Sequence, residues 1–191
     1  MEQIESDFPQ IILVTGAARS GKSEWAERLA TKTNKSVIYV ATAVVDTKDR
    51  EWLKRIELHQ QRRPSHWRTL CISEQLASTI SNTEASHCLL IDSLGTWVAN
   101  FLDREADAWQ EMQKSLLDSL QTTKADVILV GEETGWGVIP AYKSGRIFRD
   151  RLGNLIRQIG AIASEVYLVT GGHALNLSQL GQCLDKSIEG C

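Results

Sequence analysis

Short apolar runs recur along the chain at residues 11–15 (IILVT), 37–41 (VIYVA), 88–92 (CLLID), 127–130 (VILV) and 166–169 (VYLV). They are rich in β-branched residues and apolar almost throughout, the pattern of strands covered on both faces. Between them the period changes. Residues 23–33 read as a helix after the first run. Trp109, Met112, Leu116 and Leu120 recur at helical spacing, as do Phe148, Leu152, Leu155, Ile159 and Ile162. A more polar helix is predicted over 46–63, stopped by Pro64. Strands alternating with helices predict an α/β fold with a mostly parallel sheet and helices on both faces. No repeat or linker divides the 191 residues, so one domain over 1–191 is expected. Residues 1–9 read as a loose extension. The tail at 173–191 is too weakly patterned to place in any element.

Directly after the first strand stands Gly16-Ala17-Ala18-Arg19-Ser20-Gly21-Lys22-Ser23, which meets the pattern G-x-x-x-x-G-K-[ST] in full. The glycines let backbone N–H groups turn inward around phosphate oxygens, and the next helix begins there with its positive dipole end. In such a loop Lys22 reaches the outer phosphates and the Ser23 hydroxyl ligates magnesium. The strand before and the helix after supply the context that the motif requires. The expected architecture is therefore the three-layer sandwich of the phosphate-loop NTPases, binding ATP or GTP with Mg2+. The second magnesium partner should be an acidic residue closing a neighbouring strand. Asp92 fits that role best, and the N-cap of a helix running through Trp97 and Phe101 is a second role compatible with it.

Composition narrows the setting. The net charge of −3 gives no general attraction for nucleic acid. No apolar run approaches the ~18 residues of a membrane span. Cys71, Cys88, Cys183 and Cys191 form no C-x-x-C pair, which suits reduced thiols in a cytoplasmic protein.

On the predicted 46–63 helix, Trp52, Ile56, His59 and Arg63 follow at spacings of four, three and four and share one face. His59 there reads in two ways. It is a packed histidine, or it is a nucleophile toward phosphorus with Arg63 one turn away to stabilise departing pyrophosphate. His66, in the turn Pro64-Ser65-His66-Trp67, reads as structural, and His87 and His173 suggest no partner. Glu133 and the glycines after 127–130 follow a strand's carboxyl end, where open sheets bind ligands, and read either as lining the site or as an ordinary acidic loop. Lys143, Arg146, Arg149 and Arg151 form either a solvated helix face or a phosphate clamp.

Over 11–172 the chain resembles the adenosylcobinamide kinase/adenosylcobinamide-phosphate guanylyltransferase family. ILVTGAARSGKS, YVAT, LLIDSLGTWVANFL, EETGWGVIP and GRIFRDRLG each resemble a family block. The most specific is RIELHQQRRPSHWRT, which resembles R-I-x-x-H-x-x-x-R-P-x-x-W and is foreign to generic phosphate-loop kinases. The resemblance implies two reactions. A triphosphate first phosphorylates the aminopropanol hydroxyl of adenosylcobinamide, with Lys22, Ser23 and Asp92 holding phosphates and magnesium. His59 then attacks the α-phosphorus of GTP, and the guanylyl group passes to adenosylcobinamide phosphate. It also implies guanine contacts at Ala41, Thr42, Ala43, Gln60, Gln61, Arg62 and Arg63, a corrinoid substrate, and a homotrimer with the histidine helix near a neighbouring subunit. The chain departs from the family at Leu58, where some members have a further histidine, and at Cys71, often glutamate. It departs again at Glu132, usually asparagine, and at Ile156-Arg157, usually Asn-Gln.

Two other readings compete. A plain small-molecule kinase explains Gly16 to Ser23 and Asp92 but not the His59 block. A nucleotide switch is suggested by Asp92-Ser93-Leu94-Gly95, which matches D-x-x-G, yet the guanine-reading N-K-x-D element is missing.

Overall fold

All five apolar runs form strands, with ends within two residues of the expected positions. They are β1 (Ile11–Gly16), β2 (Ser36–Ala41), β4 (His87–Asp92), β5 (Asp126–Glu132) and β6 (Glu165–Thr170). The computed structural model describes residues 8–44, 54, 57 and 63–184. Two shorter strands, β3 (Arg68–Cys71) and β7 (His173–Asn176), complete a seven-stranded sheet in the order β3-β2-β4-β5-β1-β6-β7. Every pairing is parallel except β6 with β7. The apolar strands occupy the interior of the sheet; β1, β2, β4 and β5 are buried for most of their length, and β6, next to the edge, is mostly half-buried. The polar β3 and β7 lie at the edges, where a strand needs less burial.

Helix α1 (Lys22–Thr31) covers one face, packing Ala26 and Ala30 against a layer that includes Val14, Tyr39, Leu90, Ile128 and Val130. The other face is covered by α2 (Leu76–Ser81), α3 (Leu94–Ala99), α4 (Ala106–Thr122) and α5 (Lys143–Ile162). Their apolar stripes, including Leu116, Leu120, Leu152, Leu155 and Ile159, meet Leu13, Val40, Leu89 and Leu129. Leu13 and Val14 face opposite layers because side chains alternate along a strand. Burying each such aliphatic side chain contributes about 1.5–3 kcal/mol.

The tail has more structure than its pattern predicts. Gly171 and Gly172, at φ 57° and 77°, reverse the chain so that β7 pairs back on β6 with Thr170 opposite His173. Positive φ at both turn residues is what a two-residue hairpin of this hand needs. A short helix, α6 (Leu177–Leu180), follows. At the other end, Phe8 is exposed, and the Gln10 backbone is already tied to Asp126 and Val127. The rest of the expected loose extension, 1–7, and residues 185–191 lie outside the described residues.

Of the helix expected over 46–63, Lys54 and Glu57 are helical and exposed. The other positions from 45 to 62 lie outside the described residues. Arg63 and Pro64 begin a turn closed by Trp67 N–H donating to the Pro64 carbonyl at 3.0 Å.

The basic run on α5 is neither wholly solvated nor wholly free. Arg146 donates to the carbonyls of Pro140 and Ala141, and Arg151 to those of Phe101 and Arg104. Cys71, Cys88 and Cys183 carry free thiols. Burial first, then Asp126, pushes the Cys88 thiol up to about 12, so it is inert at neutral pH. Among the described residues no helix is long and apolar enough to cross a membrane.

Candidate active site

The sheet register aligns four strand ends. Gly16 of β1 lies opposite Glu132 of β5, Val130 of β5 opposite Asp92 of β4, and Asp92 opposite Ala41 of β2. Residues that follow these strands therefore converge on one carboxyl edge, the usual ligand side of an open parallel sheet.

The Gly16–Ser23 loop spans from β1 to α1. A side chain at Gly16 is excluded, since a Cβ there would stand 2.5 Å from both the Ser20 hydroxyl and the Val169 carbonyl. Gly21 caps α1 at φ 94°, and Arg19 is left-handed at φ 60°. Gly21, the N-cap of α1, makes no side-chain hydrogen bond to the first turn, so no cap side chain competes with an anion for the N–H groups at this positive dipole end. The Lys22 side chain is 9% exposed. Its ammonium folds back to donate to the Ala17 carbonyl at 3.3 Å. Ser23 is half-buried in the first turn of α1, while Ala17, Ala18 and Arg19 are exposed.

Asp92 closes β4 and accepts a hydrogen bond from the Tyr39 hydroxyl at 3.1 Å. Burial, reinforced by Asp92, drives the Tyr39 phenol far above its ordinary range, so it remains a donor. The Arg63 guanidinium lies over the Tyr39 ring, 3.3 Å from its centroid. This stack fastens the end of the His59 segment to the strand beside Asp92. The N-cap alternative for Asp92 is corrected: the cap of α3 is Ser93, whose hydroxyl accepts from Thr96 N–H in a capping box.

Thr42 is fully buried. Its hydroxyl donates to the Ser93 carbonyl at 2.6 Å and accepts from Ser93 N–H at 3.1 Å. Asn100 donates to its carbonyl. Thr42 thus locks β2 to the start of α3, while Ala41 and Ala43 on either side stay half-buried. His59, Gln60, Gln61 and Arg62 lie outside the described residues. His66 is exposed. His87 meets the Ser86 hydroxyl, and His173 the Gly171 carbonyl. Glu133 is half-buried, and its N–H donates to the Gly16 carbonyl at 3.0 Å.

Glu132, noted from the sequence only as a departure from the family's asparagine, has a place in the site that the sequence did not assign. It accepts from Gly95 N–H at 2.8 Å, and a Cβ on Gly95 would collide with its carboxylate. Burial raises its pKa, while Ser93 and Lys22 pull the other way and Asp92 adds to the rise. Its place at the tip of β5, beside the phosphate-loop strand, was the available signal. The sign of its effect on stability follows. With the folded-state pKa raised, the folded protein holds the proton longer than the unfolded chain. Stability is unaffected below the ordinary glutamate range and falls as pH climbs through the raised value. Glu132→Gln is expected to raise the melting temperature relative to the parent at about pH 8 and not at about pH 4. Thermal scans at the two pH values check this, and an equal difference at both would contradict it.

The fold is similar to that of an ATPase from the type III secretion system of pathogenic bacteria, with TM-score 0.51 at 13% identity, covering 90% of this chain and 53% of that one. In sequence, the chain is 38% identical over 177 residues to the bifunctional adenosylcobalamin biosynthesis protein CobU of Escherichia coli (strain K12), covering 85% of this chain and 96% of that protein. It is 40% identical over 165 residues to the bifunctional adenosylcobalamin biosynthesis protein CobP of Pseudomonas aeruginosa, covering 84% and 92%. The family described as cobinamide kinase / cobinamide phosphate guanyltransferase matches residues 12–177. With the phosphate loop, the Asp92 strand end and these matches together, the chain belongs to the cobinamide kinase / cobinamide phosphate guanyltransferase family.

Proposed function

We propose that this chain is a bifunctional enzyme that phosphorylates adenosylcobinamide with ATP or GTP and then transfers GMP from GTP, giving adenosylcobinamide-GDP. The observation that carries this reading is the Arg63–Tyr39–Asp92 stack. It ties the end of the His59 block, which a plain kinase lacks, to the Asp92 strand end on the same carboxyl edge of the sheet as the phosphate loop.

In the first reaction the aminopropanol hydroxyl oxygen attacks the γ-phosphorus. The bond to the β-phosphate oxygen breaks, a nucleoside diphosphate leaves and the hydroxyl proton passes to solvent. Lys22 and the first N–H groups of α1 oppose the charge on the transferring group. In the second, a neutral His59 ring nitrogen attacks the α-phosphorus of GTP and pyrophosphate departs. A phosphate oxygen of adenosylcobinamide phosphate then attacks the guanylyl phosphorus. The N–P bond breaks, the diphosphate forms and the imidazole is regenerated. Ala41, Thr42, Ala43, Gln60, Gln61, Arg62 and Arg63 serve the nucleotide on this reading.

Ser23 and Asp92 offer a hydroxyl and a carboxylate, the hard oxygen donors that Mg2+ prefers. Among the described residues no group of three or more His, Cys, Asp or Glu forms a metal cage. Mg2+ commonly takes one or two protein oxygens and fills its remaining positions with phosphates and water, and Ser23 and Asp92 would supply the protein share. When bound, magnesium neutralises phosphate charge. We assign the enzyme to the cytoplasm as a homotrimer with the histidine helix near a neighbouring subunit, on the family resemblance.

The test is incubation with α-labelled GTP and Mg2+, followed by acid and base treatment of the denatured protein. An acid-labile, base-stable label is expected, dischargeable by adenosylcobinamide phosphate into a product heavier by one guanylyl group, that is GMP less water. Phosphorylation of adenosylcobinamide with no protein label would reduce the enzyme to a kinase. Nucleotide turnover that ignores corrinoid would favour the switch.

A further inference from the structure

Between β5 and α5 the chain exposes large apolar side chains that the reactions above do not use. Trp136 is 71% exposed, Val138 93%, Ile139 68% and Tyr142 81%. Single exposed apolar residues are ordinary, but a cluster of this size marks a binding surface. Between Glu133 and Lys143 there is no charged residue.

The loop is held in place from both ends. At its start, Glu133 N–H donates to the Gly16 carbonyl at 3.0 Å, so it is bonded to the phosphate loop itself. At its end, Arg146 donates to the Pro140 carbonyl at 3.0 Å and the Ala141 carbonyl at 2.6 Å. Gly145 leaves room for Pro140, because a Cβ at Gly145 would stand 2.8 Å from the proline Cβ. The apolar side chains are thereby presented outward on a fastened backbone, which lowers the ordering cost of binding.

The occupant follows from chemistry and place. Residues 134–142 carry no charge to pair with a triphosphate. The surface suits a broad, largely uncharged ligand that stacks on Trp136 and Tyr142, whose rings give large contact area at little entropy cost. The ligand must also pass a reactive arm to the phosphate loop, to which the platform is directly bonded. We propose that Trp136, Val138, Ile139 and Tyr142 form the seat for the corrin macrocycle of the acceptor, with its hydroxyl arm turned toward Lys22. This rests on the cobinamide activity proposed above.

The experiment uses the full chain and adenosylcobinamide as the probe. In Trp136→Ala and in Val138→Ser the KM for adenosylcobinamide is expected to rise about tenfold or more. The KM for the nucleotide, the protein label formed from GTP alone and the size of the assembly should hold at parental values. Both sites are exposed, so neither substitution removes core packing; thermal melting verifies this, and Tyr142→Ala serves as a third variant. A corrinoid KM within about twofold of the parent in all three overturns the seat. So does a changed assembly with unchanged corrinoid KM, which makes the loop an interface between copies. If the parent enzyme itself neither binds nor phosphorylates adenosylcobinamide, the proposed function fails along with the seat. If the parent phosphorylates and the variants match it, the seat alone fails.

Discussion

His59→Ala is expected to abolish the guanylyl label and to cut formation of adenosylcobinamide-GDP by at least roughly 10³-fold, while phosphorylation of adenosylcobinamide stays within about threefold of the parent. The asymmetry follows from where the residues lie. The phosphoryl-transfer groups sit on β1, α1 and β4, which are fixed by the buried sheet and by the Gly16–Ser20–Val169 packing. In the sequence His59 falls between the buried Thr42 and the stacked Arg63, and the substitution leaves both of those residues in place while deleting the proposed nucleophile. An imidazole suits the task because its nitrogen attacks when neutral and leaves readily from phosphorus. Peptide mapping by mass spectrometry after GTP and Mg2+ checks the first half, and a corrinoid phosphorylation assay checks the second. An adduct that persists in the variant, or one found on the exposed His66, would move the nucleophile elsewhere. Equal loss of both activities would mean that His59 supports the fold or the shared nucleotide seat.

How far these conclusions were legible in the chain depends on what each element buries. β4, β5 and β1 sit in the sheet interior, so runs such as CLLID and VILV announce them. β3 reads Arg68-Thr69-Leu70-Cys71 and is mostly exposed at the sheet edge, so no burial was written into it. β7 is polar for the same reason, and its one local signal was the Gly171-Gly172 pair that makes the hairpin. The phosphate loop was legible because its function is made by backbone, and only glycine at 16 and 21 permits the shape. The tie from Arg63 to Asp92 through Tyr39 was not legible. It joins residues 63, 39 and 92, which only the β2–β4 pairing brings together. Glu132 escaped for a related reason. In the sequence it is one of two acidic residues after a strand, and only the fold places it against Gly95 and toward Lys22.

Lys22→Met is expected to depress both reactions, which separates it from His59→Ala. The Lys22 chain is largely buried and its ammonium lies across the loop at the Ala17 carbonyl. Methionine keeps the length and apolar stem of the side chain and deletes the charge, so the fold should persist. The lost charge opposes the phosphates that carry the developing negative charge in γ-phosphoryl transfer. Removing one such preorganised donor costs roughly 3–4 kcal/mol of barrier, about 10²–10³ in rate. On the proposed function the same charge also faces the β- and γ-phosphates that depart as pyrophosphate, so labelling by GTP should slow by a comparable factor. Rates of ADP or GDP formation, and of label incorporation in a single turnover, measure the two losses separately. Label formation at the parental rate in a kinase-dead Lys22→Met would show that GTP for guanylyl transfer is seated away from the Gly16–Ser23 loop. The two reactions would then need two nucleotide sites, and the Arg63 stack beside Asp92 would no longer explain why one chain performs both.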